Sequence, residues 1–140
     1  MIQKISTESG FLQVNVMGDF SLEEAKTTFI EMLEAVAHHK VRKVLLDGRG
    51  LVGNPQTIER FIYGEFAAQS VAQFSPRGVS PATKFAYVLG SPVLDPGRFG
   101  ETVAVNRGML VKVFENLPDA LSWLGIGPAN NPAADAGGGT

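Results

Sequence analysis

Short apolar segments alternate along this chain with segments of helical periodicity, and this alternation constrains the fold most. The apolar segments are residues 44–46, 85–89 and 110–114. Residues 44–46 show no polar alternation, which is typical of a parallel strand that is covered on both faces. Strands that alternate with helices predict an α/β domain built around a mostly parallel sheet.

The first forty residues predict a hairpin followed by a helix. Residues 2–5 and 11–17 flank a tetrapeptide of turn residues, and the second segment alternates apolar with polar side chains, as an antiparallel strand with one wet face does. Ser21 and Glu24 have the spacing of a capping box. The apolar residues that follow recur every three or four positions, so we expect a helix over residues 22–39.

Three further helices are predicted, because Asn or Asp before Pro is typical of a helix start and Gly of its end. They run from Asn54-Pro55 to about Ser70, from Asp95-Pro96 to Gly108, and from Asn116 to Gly125. The element order is then ββαβαβαβα: about five strands in a mixed sheet, with an antiparallel edge strand, flanked by four helices.

Composition limits the classes of function. The 140 residues contain no cysteine, which excludes disulfides and thiolate metal sites, and carry a formal charge of −2 without a run of Lys or Arg. This charge argues against a nucleic-acid partner or an anionic membrane surface. No segment approaches the ~20 apolar residues of a membrane span, and residues 1–4 do not lead into a signal peptide, so we expect a cytoplasmic protein.

The composition changes after Gly127. Residues 128–140 contain nothing larger than Pro, Asn, Asp or Thr, and such a segment buries too little apolar surface to offset its ordering entropy. We therefore expect one domain over residues 1–127 and a flexible tail over residues 128–140.

Gly48, Gly50 and Gly53 form a G-x-G-x-x-G pattern after a predicted strand. In a dinucleotide site the helix begins inside this pattern, and an acidic residue about 20 positions later holds the ribose. Here the predicted helix starts after the third glycine, and no Asp or Glu lies between Glu65 and Asp95. A flexible glycine loop is therefore favoured over NAD binding, and the Lys-Ser or Lys-Thr of a phosphate loop does not follow Gly53.

Metal binding and nucleophilic catalysis have little support in the sequence. His38 and His39 are the only histidines, and neighbours on a helix point roughly 100° apart, whereas a zinc pair needs a spacing of three or four. No Ser-His-Asp arrangement is indicated. We expect no metal, no cofactor and no catalytic residue, and the protein is predicted not to be an enzyme.

Candidate binding residues cluster after the predicted strands. Asp47 ends a buried strand, and ligands of open α/β sheets collect at the carboxyl ends of strands. The amides of Gln56 and Thr57 lie in the first turn of the second helix, where an anion would be stabilised. The candidate ligand- or partner-binding residues are Asp47, Arg49, Asn54, Gln56, Thr57, Ser91, Asp95 and Arg98. The alternative is that Asp47 and Asn54 only satisfy loop amides.

The second helix is apolar around most of its circumference, so it is covered on more than one side. Core burial explains part of this pattern. A homo-oligomer interface or the wall of a hydrophobic pocket would explain the rest, and the candidate residues are Phe61, Ile62, Tyr63 and Phe66.

Two segments, KVLLDGRG at residues 43–50 and VAVNRGMLVKVFENLPDALSWL at residues 103–124, resemble the SpoIIAA-like branch of the STAS (sulphate transporter and anti-sigma-factor antagonist) superfamily. The resemblance covers about residues 11–125. It implies a mixed sheet with packed helices and a protein that binds rather than catalyses. In the antagonists a serine at the start of the second helix is phosphorylated by a partner kinase. Here that position holds Gln56, and the only neighbouring hydroxyl belongs to Thr57.

The leading hypothesis is therefore a non-enzymatic regulatory or protein-interaction domain without the serine switch. It would form a homodimer and use the surface around the second helix and the loops after Asp47 and Leu89. Because this branch is also compared with Sec14-type lipid carriers, the alternative is a carrier or sensor of a small hydrophobic, lipid-like or anionic ligand. A nucleotide-binding enzyme fragment is a third possibility.

Overall fold

The computed structural model describes residues 1–127, and residues 128–140, predicted as a flexible tail, lie outside this range. The strands are β1 (Ile2–Glu8), β2 (Phe11–Asp19), β3 (Lys43–Val52), β4 (Lys84–Val88) and β5 (Leu110–Phe114). The helices of the described residues are α1 (Leu22–His39), α2 (Thr57–Phe74), α3 (Phe99–Asn106) and α4 (Leu117–Leu124), and a short 3₁₀ turn, Ser75–Arg77, follows α2. Within residues 1–127, no helix combines the length and the apolar character needed to cross a membrane.

The strands form one sheet in the order β1-β2-β3-β4-β5. β1 pairs with β2 antiparallel, and the other neighbouring strands pair parallel. The predicted fold class, a mixed α/β sheet of five strands flanked by four helices, is confirmed.

The helices divide unequally between the two faces of the sheet. α1, α2 and α3 cover one face, and α4 covers part of the other, so each face has its own apolar core. Successive strand residues point to opposite faces. Val44 and Leu46 therefore enter the core beneath the three helices, and Leu45 enters the core beneath α4, which explains the continuous apolar run.

The ends of α1 and α4 follow from their capping residues. The Ser21 hydroxyl accepts a hydrogen bond from the Glu24 amide at 3.4 Å, but the Glu24 carboxylate accepts from the Met1 amine at 3.0 Å, so only half of the predicted capping box forms. Asn116 caps α4 by accepting from the Asp119 amide at 2.9 Å. Gly125 ends α4 with a φ of 73°, as predicted.

The predicted glycine loop is wrong for two of its three glycines, because β3 continues through Gly48 and Gly50 to Val52. A Cβ on Gly48 would lie 2.7 Å from Leu89 Cδ2, and one on Gly50 would lie 2.9 Å from Met17 Cβ. The neighbouring side chains therefore pack against bare backbone. These glycines serve close packing within the sheet.

Two helix starts also differ from the prediction. Gln56, rather than Asn54, precedes α2, which continues to Phe74. α3 begins at Phe99, because Asp95 accepts from the Phe99 amide at 2.8 Å and holds a turn in front of the helix.

Candidate functional site

Asp47 and Arg49 lie side by side on the α4 face of the sheet. The two residues are two positions apart in β3, and alternate residues of a strand point to the same face. The register between β2 and β3 shifts by one residue after Asp47. Arg49 Nε and Nη2 donate to the two carboxylate oxygens at 2.9 and 2.7 Å, and the Arg49 amide donates at 3.2 Å. Burial raises the pKa of Asp47, but the hydrogen bonds and charge of Arg49 outweigh it, so the net shift is downward. The charge and hydrogen bonds of Asp47 are therefore matched by Arg49.

The start of α2 presents exposed polar residues. Asn54 and Thr57 are exposed, and the Gln56 amide donates to Glu59 Oε1 at 2.8 Å. The Glu59 carboxylate, which belongs to the chain itself, therefore accepts the hydrogen bond of one amide that was expected to bind an anion.

The loop of residues 89–98 joins β4 to α3. Asp95 accepts from the amides of Phe99 and Gly97, at 2.8 and 3.2 Å, and the Phe99 hydrogen bond is the largest cause of the lowered pKa of Asp95. Arg98 donates to the Val113 carbonyl and pairs with Glu101 at 3.5 Å. Ser91 is exposed on the same loop.

Arg60 fixes this loop to α2, a role that the sequence alone did not indicate. Its Nη1 donates to the Val93 carbonyl at 2.6 Å, its Nη2 to the Pro92 carbonyl at 3.0 Å, and its Nε to the Pro55 carbonyl at 3.2 Å. The available signal was that Arg60 is the only Lys or Arg of α2. One guanidinium therefore joins the start of α2 to the loop after β4.

A cavity of about 140 Å³ lies between the three-helix face of the sheet and the helices α2 and α3. Its walls are mostly apolar and include Val16, Leu46, Leu51, Leu89, Ala67 and Ala104. Along one wall α2 and α3 approach closely, because a Cβ on Gly64 would lie 2.5 Å from the Gly100 carbonyl oxygen.

Two tyrosine hydroxyls meet at the cavity wall. Tyr63 Oη and Tyr87 Oη are 2.6 Å apart, and both residues line the cavity. Burial raises the pKa of Tyr63 to about 12, against the opposing hydrogen bond from Tyr87. Burial also raises the pKa of Tyr87. Both side chains are therefore neutral at physiological pH.

The aromatic residues of α2 pack within the chain. Phe61 stacks on Phe99 with centroids 6.3 Å apart, and Phe66 packs edge-on against Phe29 at 6.5 Å. Ile62 is half-buried. Ile58, in the first turn, is an exposed apolar residue of α2, with 58% of its surface accessible.

The eight candidate binding residues do not form one cluster. Asp47 and Arg49 lie on the α4 face of the sheet, whereas Asp95 and Arg98 border the cavity on the opposite face. The other four lie at the start of α2 and on the loop after β4: Asn54, Gln56, Thr57 and Ser91. Within residues 1–127, no three His, Asp or Glu side chains are grouped so that they could hold a metal ion.

No family model matches the chain, and no curated protein matches it in sequence. Among solved structures, the chain is similar to an anti-sigma factor antagonist from Mycobacterium paratuberculosis. The two chains are 15% identical and align with a TM-score of 0.55, over 88% of this chain and 92% of the other. This likeness shows the fold: the SpoIIAA-like fold expected from the sequence is confirmed.

Proposed function

We propose that the protein is a non-catalytic regulatory domain that binds a protein partner through the α2-start surface, which we define as residues 54–58 together with the adjoining residues 91–93. The observation that carries this proposal is the exposure of Ile58 at this surface. The fold adds support, since its structural neighbour is an antagonist, by its name directed at an anti-sigma factor.

The α2-start surface has the composition of a binding site. Ile58 is 58% accessible and follows the exposed polar residues Asn54, Gln56 and Thr57 in the chain. An apolar anchor inside a polar rim is the usual arrangement of a protein interface. Because Arg60 holds the carbonyls of Pro55, Pro92 and Val93 together, little ordering entropy is lost on binding.

We propose that the surface acts without phosphorylation. In the resemblance to the antagonists, the position of their serine falls on Gln56 when it is counted from Asp47, and the Gln56 amide donates to the Glu59 carboxylate.

The test is affinity capture from the native cell with three baits. Ile58→Asp removes the apolar anchor, and it leaves the fold intact because an acidic residue is favourable in the first turn of a helix. Leu110→Asp is the matched control, because Leu110 is 44% accessible and begins β5 at the opposite end of the sheet.

We expect the wild type and Leu110→Asp to retain the same partner, and Ile58→Asp to lose it by at least about tenfold. Equal retention by all three baits would show that the partner binds elsewhere. Loss with both variants would assign the effect to the fold rather than to this surface.

A carrier or sensor of a small ligand is the second candidate function, and the observation that favours it is the cavity beneath α2 and α3.

A further inference from the structure

We infer that the cavity beneath α2 and α3 binds a small neutral molecule, largely apolar and carrying one hydrogen-bond acceptor such as a ketone or ether oxygen. This inference rests on the second candidate function and gives it a ligand class. The cavity lining includes Pro55 and Val93 of the α2-start surface but not Ile58, which carries the partner-binding proposal.

The size of the ligand follows from the cavity volume of about 140 Å³. An apolar protein cavity of roughly 150 Å³ holds a benzene molecule. The space therefore fits one ring or a short branched chain, with about six to ten non-hydrogen atoms. Only part of a membrane lipid or a long-chain fatty acid would fit within this volume.

The acceptor is required by the tyrosine pair. Each hydroxyl carries one hydrogen, and the 2.6 Å contact between Tyr63 and Tyr87 uses only one of the two. Within residues 1–127 neither hydroxyl makes another hydrogen bond, and Tyr87 is 7% accessible. One O–H donor of two residues that line the cavity is therefore left over, and a donor that is shielded from water without an acceptor is unfavourable.

The charge of the ligand follows from the cations at the cavity edge. Arg60 donates to the carbonyls of Val93, Pro92 and Pro55, and Arg98 donates to the Val113 carbonyl and faces Glu101. The carboxylates of Glu59, Asp95 and Glu101 also line the cavity and outnumber these two guanidinium groups. A buried anion needs a paired cation, so the cavity favours a neutral molecule.

The pair of probes that tests this inference is cyclohexanone and methylenecyclohexane. They have nearly the same shape, but only the ketone accepts a hydrogen bond. Binding is followed on the full chain by NMR titration of the methyl groups of Ala67 and Ala104, which line the cavity. We expect both probes to shift these resonances, and cyclohexanone to bind about tenfold more tightly.

Two variants connect the binding to the cavity and to the hydroxyls. Tyr63→Phe/Tyr87→Phe removes both donors, so it is expected to bind cyclohexanone more weakly than methylenecyclohexane, because the ketone loses its hydrogen bonds with water and gains none. Its retained hydrocarbon binding shows that it is folded. Ala67→Leu fills the cavity, so it is expected to bind neither probe. Ile58→Asp lies outside the cavity and is expected to bind both probes like the wild type.

Three results would overturn the inference, and each contradicts a different part of it. Failure of both probes to shift the cavity methyls would remove the ligand-binding function itself. Equal affinities of the wild type for the two probes would remove only the acceptor requirement. Octanoate binding at the same methyls, tighter than cyclohexanone, would show that the ligand is an anion. None of these results bears on the capture experiment with Ile58→Asp.

Discussion

Replacing Gly64 with alanine adds one methyl group where α2 packs against the backbone of α3. The added Cβ would lie 2.5 Å from the Gly100 carbonyl oxygen and 3.3 Å from Val103 Cβ. Ordinary contacts of a Cβ begin at 3.4 Å, so the first distance is 0.9 Å too short. Because the oxygen belongs to a helix backbone, no side-chain rotation relieves the contact, and the two helices have to separate.

The magnitude is a balance of two opposing effects. Alanine is favoured over glycine in a helix interior by about 1 kcal/mol, whereas forcing an extra carbon into a packed site costs about 1–3 kcal/mol. A contact this short with backbone belongs at the upper end of that range. We therefore expect Gly64→Ala to lower the free energy of unfolding by about 2 kcal/mol, which lowers the melting temperature by about 7 °C for a unit of this size.

Urea denaturation followed by circular dichroism measures this change, with two glycine variants for comparison. A Cβ on Gly100 would lie 3.1 Å from the Arg60 carbonyl oxygen, so Gly100→Ala should have a smaller effect. A Cβ on Gly90 would meet no atom within 4 Å, so Gly90→Ala should be neutral or stabilising by about 0.4–1 kcal/mol. A Gly64→Ala protein as stable as the wild type, with an unchanged m-value, would refute the close approach of α2 and α3.

Arg49→Met should raise the pKa of Asp47, because it removes the hydrogen bonds and the charge that lower this pKa, while burial still raises it. Since the folded-state pKa of Asp47 is lowered, this carboxylate stabilises the fold above its ordinary pKa and loses that effect as the pH falls through the folded pKa. Carboxyl NMR titration should show the rise, and acid unfolding should move to higher pH; an unchanged titration curve would contradict the pairing. Thr57→Ala and Thr57→Glu should both retain the captured partner, and loss with the Glu variant alone would restore a phosphorylation switch. We also propose a homodimer through the exposed part of the Phe61–Phe99 pair, and light scattering at tens of micromolar protein should give twice the chain mass, whereas a monomer mass would contradict it.

Helices and strands were predicted correctly where the sequence pattern that defines them lies within a few neighbouring residues. Helix α1 has the predicted bounds, 22–39, because Ser21 and the apolar periodicity act within neighbouring turns. Helix α4 follows Asn116 and ends before Gly125, as predicted. The parallel strands were also predictable, since burial on both faces removes polar alternation from a strand.

The glycines of β3 show where local signals fail. Glycine lowers strand propensity, so Gly48 and Gly50 predicted a loop, yet both lie within β3. The reason lies in residues distant in sequence, since Leu89 and Met17 occupy the space that a Cβ would take. Glycines that permit close packing and glycines that permit a turn look the same in a sequence. Only the neighbours distinguish the two.

The apolar circumference of α2 has the same kind of explanation. The sequence showed that the helix is covered on more than one side, but three kinds of covering would satisfy the pattern. In the structure Phe61 and Phe66 pack on aromatic residues of α3 and α1, whereas Tyr63 borders the cavity. Periodicity reports how much of a helix is buried and not what buries it. The tyrosine hydroxyls therefore carry information that the apolar pattern lacks, because a buried O–H needs a partner of defined chemistry, and a buried phenyl ring needs only contact.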